Sequence, residues 1–462
     1  MLYEKLIDHA NSGSYPFHMP GHKRSGGDGL PYEIDITEID GFDNLHDPRG
    51  CLAQLQETAA ELFRARYAFA LVNGSTVGVL AAVRAMTKDG DAVLIARNCH
   101  MAVYHAAELC RLNVEYCLPE PVEGLGIFAS VSPEAIEKSL MANPAISLVV
   151  VTSPTYEGVV SDIKSISAVC GRYGARLLVD EAHGAHFPFS DSFPQSAVCC
   201  GADAAVTSLH KTLPAMTQTA LLLTDSEELS RAFSRQLSVF ETSSPSYVLL
   251  ASIDRCLDFL KNSKAAFEAY MNRLTAFYEA ARAFRHLSLS YDRLSAAENV
   301  FGFDIGKLCI FCNGCMSGRE LMDRLRSDYR IELEMALGDY ALAMTSVCDT
   351  DEGFDRLLRA LAEIDRECGD HNRTPGAVDL ALPEKRCKIS DAIDAKGKTL
   401  DIFKAEGRTS REYVRVYPPG IPIIAPGEAI DRDILAVLKS LEMQGNEIVT
   451  DSASFPLISI IS

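Results

Sequence analysis

The sequence predicts an α/β protein: a mostly parallel sheet covered by helices on both faces, then a smaller α/β unit and a C-terminal α+β segment. Three observations carry this. Between Tyr67 and Leu223, short apolar runs of strand length alternate with segments of helical period, the pattern of βα units joined by right-handed crossovers. After Lys211 the rhythm changes to a long helical stretch followed by only two strand-like pieces. Near the end, Tyr417-Pro418-Pro419-Gly420-Ile421-Pro422 packs prolines too densely for a helix or a central strand, so a fixed turn-and-extended piece is expected there.

In order along the chain, an amphipathic opening leads into a Gly- and Pro-rich loop containing Pro16-Phe17-His18-Met19-Pro20-Gly21-His22-Lys23. The Pro-Gly between His18 and His22 excludes a helix that would aim the two imidazoles together, so a loop packed against a neighbour is expected rather than a metal pair. Leu52, Leu55, Ala59, Leu62 and Phe63 recur at helical spacing and place a helix from Cys51 through Ala65. Strands are expected at Ala68–Val72, Ala92–Ala96, Val114–Cys117, Leu148–Thr152, Leu177–Asp180, Ala204–Thr207 and Gln218–Leu223. Helices are expected at Val77–Met86, Ala102–Arg111, Pro133–Met141 and Ser165–Tyr173. Beyond the turn Thr242 to Tyr247 the periodicity reads as one helical stretch from Val248 through Phe284. Strands then follow at Lys307–Phe311 and Ala341–Ser346, and helices at Gly318–Tyr329 and Glu352–Ile364. Residues 367–381, polar at first with Gly and Pro later, mark a linker. The domain reading is an N-terminal arm (1–35), a large domain (36–285), a small α/β domain (286–368) and a C-terminal domain (369–462).

Composition narrows the function classes. The chain has 462 residues with 44 Lys and Arg against 63 Asp and Glu, a formal charge of −19. A nucleic-acid binder needs a basic face, so that class is disfavoured. No run reaches the ~18 apolar residues that span a bilayer. The opening Met1 to His9 carries neither a basic leader nor an apolar core, so no secretory signal is expected. Fourteen cysteines in such a chain read as reduced thiols of a cytoplasmic protein. Cys309-Ile310-Phe311-Cys312-Asn313-Gly314-Cys315 imitates part of an iron–sulfur pattern. No fourth cysteine stands at the expected distance and the segment reads as a strand, so no metal is expected.

The chemistry concentrates at strand ends. Ala204-Ala205-Val206 runs into Thr207-Ser208-Leu209-His210-Lys211, and Leu177-Leu178-Val179 runs into Asp180-Glu181-Ala182-His183. A lysine amine forms a Schiff base with an aldehyde, hydroxyls and imidazole bind a phosphate, and a carboxylate pairs with a pyridinium nitrogen. Asp180 and Lys211 together therefore suggest pyridoxal 5'-phosphate. Asn73-Gly74-Ser75-Thr76, opening a helix, forms an anion cradle, though Ser75 could serve only as an ordinary cap. In parallel sheets ligands bind beyond the carboxyl ends of strands. Gly74 to Thr76, His100, Ser153 to Tyr156, Asp180 to His183 and Ser208 to Lys211 all fall there. Such a convergence is hard to attribute to accident.

These residues resemble the Orn/Lys/Arg decarboxylase family, the bacterial fold-type I enzymes that use pyridoxal phosphate on basic amino acids. The resemblance covers most of the chain. It includes Met19 to Lys23, Thr37-Glu38, Asn73 to Thr76, Ser153-Pro154-Thr155-Tyr156, Asp180 to Gly184, Ser208 to Lys211, Thr242 to Tyr247 and Tyr417 to Pro422. It is similar to the short form of the family, without the N-terminal wing domain, and to biosynthetic arginine decarboxylases. The resemblance implies an aspartate aminotransferase-like large domain, with Lys211 carrying the cofactor as a Schiff base, Asp180 on the pyridine nitrogen, His100 over one ring face and His183 beside the cofactor. It further implies that Ser75, Thr76, Ser208 and His210 bind the phosphate. Ser243 or Ser244 would reach in from a second subunit of a homodimer with shared sites, possibly within a higher oligomer. Three positions depart from the family: Met101-Ala102 follow His100 where Lys-Ser is frequent, and Leu209 replaces a common threonine.

The implied reaction is α-decarboxylation of a basic amino acid in polyamine metabolism, with arginine favoured, giving agmatine and carbon dioxide. Lysine or ornithine as substrate, transamination on the same fold, and a catalytically silent regulator that binds the cofactor are the alternatives.

Overall fold

The computed structural model describes residues 1–12, 29–369, 382–417, 420–443, 446–452 and 454–462. The Met19 to Lys23 loop, the linker from 370 to 381 and Pro418-Pro419 lie outside the described residues. The chain divides into two compact units, one of residues 1–86 and 176–269, the other of residues 87–175 and 270–462.

The first unit holds four hydrogen-bonded strands in the order Tyr67–Leu71, Ala220–Thr224, Ala204–Ser208 and Arg176–Asp180. Ala220–Thr224 is antiparallel to both neighbours, whereas Arg176–Asp180 and Ala204–Ser208 run parallel, with Asp180 opposite Val206. Every residue of Ala204–Ser208 and of Ala220–Thr224 is buried. That explains why these strands read as unbroken apolar runs rather than as alternating patterns. The helix Gly74–Met86 begins three residues earlier than its apolar period suggested. Its Gly78 lies so close to the sheet that a Cβ there would come 2.7 Å from Leu71 and 2.9 Å from Val206. The helix is thereby seated directly on the strand that ends at Ser208. Helix Glu227–Phe240, capped by Ser226 Oγ on the Leu229 amide at 3.2 Å, packs against it.

The long helical stretch divides in two, Tyr247–Lys261 and Lys264–Ala281. Apolar burial continues through the break, from Leu260 to Phe267, so periodicity alone could not reveal it. The interruption is made by Asn262 and Ser263. Ser263 Oγ donates to the Leu260 carbonyl at 2.9 Å, a side-chain competitor for helical backbone bonding.

The second unit contains three parallel strands, Ile146–Thr152, Ala92–Ala96 and Asn113–Cys117. Helices Met101–Leu109, Pro133–Ala142 and Ile163–Tyr173 accompany them. It also contains an antiparallel sheet in the order Ser288–Leu289, Lys307–Phe311, Tyr340–Met344, Met335–Leu337. Helix Gly318–Tyr329 starts with a reciprocal cap between Ser317 and Glu320. Cys309 and Cys312 are buried and Cys315 half-buried. Among the described residues no cluster of three or more His, Cys, Asp or Glu could hold a metal, and no helix is long and apolar enough to cross a membrane.

The proline-rich segment is extended. Ile421–Ile424 forms the edge of a three-stranded sheet with Val414–Tyr417 and Glu447–Thr450, and Pro422 faces Arg415. An edge position tolerates the missing amide. Helix Arg432–Met443 closes a core of Ile424, Ile434, Leu438, Leu441, Ile458 and Ile460. Within this unit Arg97 and Glu428 form a buried two-pronged ion pair, with N–O distances of 2.9 Å and 2.9 Å. Arg97 also donates to the Ile423 carbonyl at 2.9 Å and lies over the Tyr116 ring at 4.7 Å.

Candidate active site

In the first unit, the strand Ala204–Ser208 passes directly into a single helical turn, Leu209–Thr212, which carries His210 and Lys211. Two bonds fix that turn. The Thr219 carbonyl accepts from the Leu209 amide at 3.1 Å and from His210 Nδ1 at 3.0 Å. Because a carbonyl only accepts, Nδ1 carries the proton and Nε2 of the neutral ring is left as an acceptor. Partial burial, together with the neighbouring Lys211 cation, lowers the His210 pKa, against the pull of the Thr219 carbonyl.

Lys211 Nζ lies 3.0 Å from His183 Nε2. Lys211 is half-buried and His183 is 5% exposed. An amine and an imidazole at this distance are hydrogen-bonded, which places His183 to relay a proton to or from the Lys211 amine. Asp180, the last residue of its strand, is 4% exposed and accepts from the Ala182 amide at 3.2 Å. No cationic side chain pairs with it among the described residues. The adjacent Glu181 is committed elsewhere, accepting from the Ala197 amide at 2.7 Å and from Ser196 Oγ at 2.9 Å. Burial pushes its carboxyl up to about 8.

Ser208 is fully buried, and its Oγ has no hydrogen-bond partner. Orphaned hydroxyls of this kind call for an explanation. A ligand oxygen at the end of this strand would supply one. Gly74, at φ +76°, opens the helix that sits on the same strand, and no atom stands within 4 Å of where its Cβ would be. Only glycine takes this backbone without strain; its own amide donates to the Gln218 carbonyl at 2.8 Å, and the amides that follow it stand at the N-terminus of a 13-residue helix, where an anion is favoured. Ser75 is half-buried and Thr76 exposed. Ser243 and Ser244 are both exposed. Their loop is tied to this helix start, because Asn73 Oδ1 accepts from the Thr242 amide at 3.1 Å.

An unpaired buried carboxylate, an orphaned buried hydroxyl, a lysine beside a histidine and an open helix start fit pyridoxal phosphate, which presents a ring nitrogen, a phosphate and an aldehyde to three such groups. Sequence reading missed two contributors. Thr219 acts through its carbonyl, for which no side-chain signal exists. Gly78 is recognisable only once the helix has been placed on its strand.

His100 belongs to the second unit. It is exposed and caps the helix Met101–Leu109, with Nδ1 accepting from the Ala102 amide at 3.1 Å. The proton of the neutral ring is therefore on Nε2. The segment before it is held firmly: Arg97 and Asn98 are buried, and Tyr104 Oη donates to the Arg97 carbonyl at 2.7 Å. In the same unit Ser153 Oγ accepts from the Ser161 amide at 3.1 Å, and Tyr156 Oη donates to Glu334 at 2.7 Å.

Comparison with known proteins places the chain in a family. Residues 1–286 match the Orn/Lys/Arg decarboxylase major domain and residues 382–448 the C-terminal domain of the same family. An arginine decarboxylase of Bacillus subtilis is 31% identical over 457 residues, covering 96% of this chain and 93% of that protein. An arginine decarboxylase of Halalkalibacterium halodurans is 30% identical over 466 residues, covering 96% and 95%. Among solved structures, a lysine decarboxylase of Francisella novicida superposes with a TM-score of 0.85 at 19% identity, covering all of this chain and 81% of the other. Lysine decarboxylase A of Pseudomonas aeruginosa gives 0.84 at 20%, covering all and 80%. The fold is that of the fold-type I decarboxylases, and the chain belongs to the Orn/Lys/Arg decarboxylase family.

Proposed function

We propose that this chain removes the α-carboxylate of arginine, giving agmatine and carbon dioxide, with pyridoxal phosphate held on Lys211. The observation that carries the reading is the Lys211–His183 pair, at 3.0 Å, at the end of the strand whose Ser208 hydroxyl is orphaned. The two arginine decarboxylases, each about 30% identical across nearly the whole chain, support arginine over lysine and ornithine.

When bound, pyridoxal phosphate supplies the electron sink that lets a carboxylate depart. Asp180 holds a proton on the ring nitrogen and so keeps that sink deep. His183 Nε2 takes a proton from Lys211 Nζ and returns it. The Ser208 hydroxyl, His210, Ser75, Thr76 and the free amides after Gly74 bind and orient the phosphate. His100 would cover one face of the ring and exclude water from it. The active form is a cytoplasmic homodimer, in which Ser243 or Ser244 reaches the phosphate of the partner subunit.

Product analysis by mass spectrometry tests this, with purified protein, pyridoxal phosphate, and arginine, lysine and ornithine in competition. Agmatine is the expected dominant product, and Lys211→Ala should abolish both the product and the visible absorbance of the bound cofactor. Dominant cadaverine or putrescine would overturn the substrate assignment. Cofactor absorbance without any amine would overturn the decarboxylase assignment.

A further inference from the structure

The second unit contains a pocket that the proposed reaction does not use. The hairpin strands Pro121–Val122 and Ile127–Phe128 form one side, and the edge strand Ile421–Ile424 with helix Arg432–Met443 form another. Phe128, Leu337, Ile421, Ile423 and Leu441 line it, and among the described residues Glu157 is its one ionisable lining residue. We propose that this pocket binds a short primary alkylammonium ion, with Glu157 as the counter-charge.

The state of the carboxylate carries the argument. Glu157 is 9% exposed. Its Oε1 accepts from Tyr340 Oη at 2.8 Å, and the Cys309 thiol donates to its main-chain carbonyl at 3.6 Å. Among the described residues no lysine, arginine or histidine pairs with it, and Oε2 has no hydrogen-bond partner. Glu157 lines the pocket, which puts its carboxylate within reach of a ligand there. A carboxylate removed from bulk water with no cation beside it is unfavourable unless something fills that place. The buried surroundings are apolar, so the complementary ligand joins a cationic head to a hydrocarbon stem.

Size selects among such ligands. The cavity is about 60 Å³, and a water-sized group needs roughly 10–15 Å³ on this measure. That admits about four or five non-hydrogen atoms in line, the length of n-butylammonium. A guanidinium head is broader than this and carries five donors, where Oε2 offers one acceptor site. An ammonium is the better match. For a ligand this small the affinity is on the order of 1 mM.

The chain has no tryptophan, so Phe128→Trp places a single indole at the pocket wall. With the holoenzyme of this variant at fixed pH and ionic strength, emission is followed against n-butylamine, n-butanol and butyrate. Butylamine should give a saturable change, and its binding should exceed that of butanol by about tenfold, the usual weight of one charge-assisted hydrogen bond. Butyrate should not bind. Adding Glu157→Gln should weaken butylamine by about tenfold and leave butanol unchanged.

Equal binding of butylamine and butanol, or no saturable response to any of the three, would overturn the assignment. So would unaltered butylamine binding in Glu157→Gln. The ranking of the three ligands needs no change at residue 157, so it decides the matter even if that variant fails to fold. The inference stands on the pocket alone. Agmatine production without a butylamine response would defeat it and leave the decarboxylase reading intact, and the reverse result would do the opposite.

Discussion

Removing Arg97 should release the segment that leads to His100. In Arg97→Met the stem keeps its packing volume, while Glu428, 0% exposed, loses both guanidinium bonds. What remains to it is the Ala425 amide at 2.7 Å and the Tyr116 hydroxyl. Burial already raises the Glu428 pKa even with Arg97 beside it. Stripping one member of a buried pair destabilises by about 3–5 kcal/mol, because the survivor is left charged or must take up a proton. The Ile423 carbonyl loses its donor as well, which adds about 1 kcal/mol. Glu428→Gln should fall in the same range. The double variant Arg97→Met/Glu428→Gln should cost clearly less than the sum, since each single change already exposes the other partner. Urea unfolding followed by circular dichroism measures the cycle, and hydrogen exchange at residues 97–102 reports the local release. A chain with two compact units need not unfold in one step, so the transition that includes residues 97–102 is the one to compare. If Arg97→Met cost under about 1 kcal/mol, or if the two single effects simply added, the pair would not be what anchors this segment.

Ser208→Ala should leave the cofactor-free chain as stable or up to about 1 kcal/mol more so, since it deletes a buried hydroxyl without a partner. The same change should weaken retention of pyridoxal phosphate about tenfold, as read by dialysis and visible absorbance. Glu241, 6% exposed, is pushed up to about 7 by burial, against the Val72 and Asn73 amides that pull it down. Its folded value exceeds the ordinary 4.5, so the folded chain holds that proton more tightly than the unfolded one. Stability should therefore fall by up to about 3 kcal/mol as pH rises from ~4.5 to ~7. In Glu241→Gln that part of the slope should vanish from urea midpoints taken between pH 5 and 8. Gly318→Ala would set a Cβ 1.9 Å from the Tyr340 carbonyl oxygen, which only a backbone shift can relieve. A loss near the upper end of about 1–3 kcal/mol is expected from thermal unfolding.

What the sequence disclosed and what it hid divide along physical lines. Strands such as Ala92–Ala96 and Lys307–Phe311 were legible to the residue, because full burial writes itself as a continuous apolar run. The residues at strand ends were legible because polar groups with distinctive chemistry stand out immediately after such runs. The break at Asn262-Ser263 was hidden, since the apolar period carries on across it and a single serine hydroxyl decides the outcome. The Arg97–Glu428 pair and the Glu157 pocket were invisible for another reason. Arg97 and Glu428 lie 331 positions apart and Glu157 and Tyr340 lie 183 apart, and a charge gives no sign in sequence of whether it will be buried or what will face it. Carbonyl contributors such as Thr219 leave no trace in residue identity at all.

The cap at His100 has a consequence beyond geometry. Its Nδ1 accepts from the Ala102 amide, and an imidazole nitrogen that has taken up a proton can no longer accept. The ring thus serves the first turn of its helix beside the backbone bond from the Val103 amide to the His100 carbonyl at 3.0 Å. Ring and helix start therefore move as one piece: whatever turns the imidazole also takes the Ala102 amide's partner away.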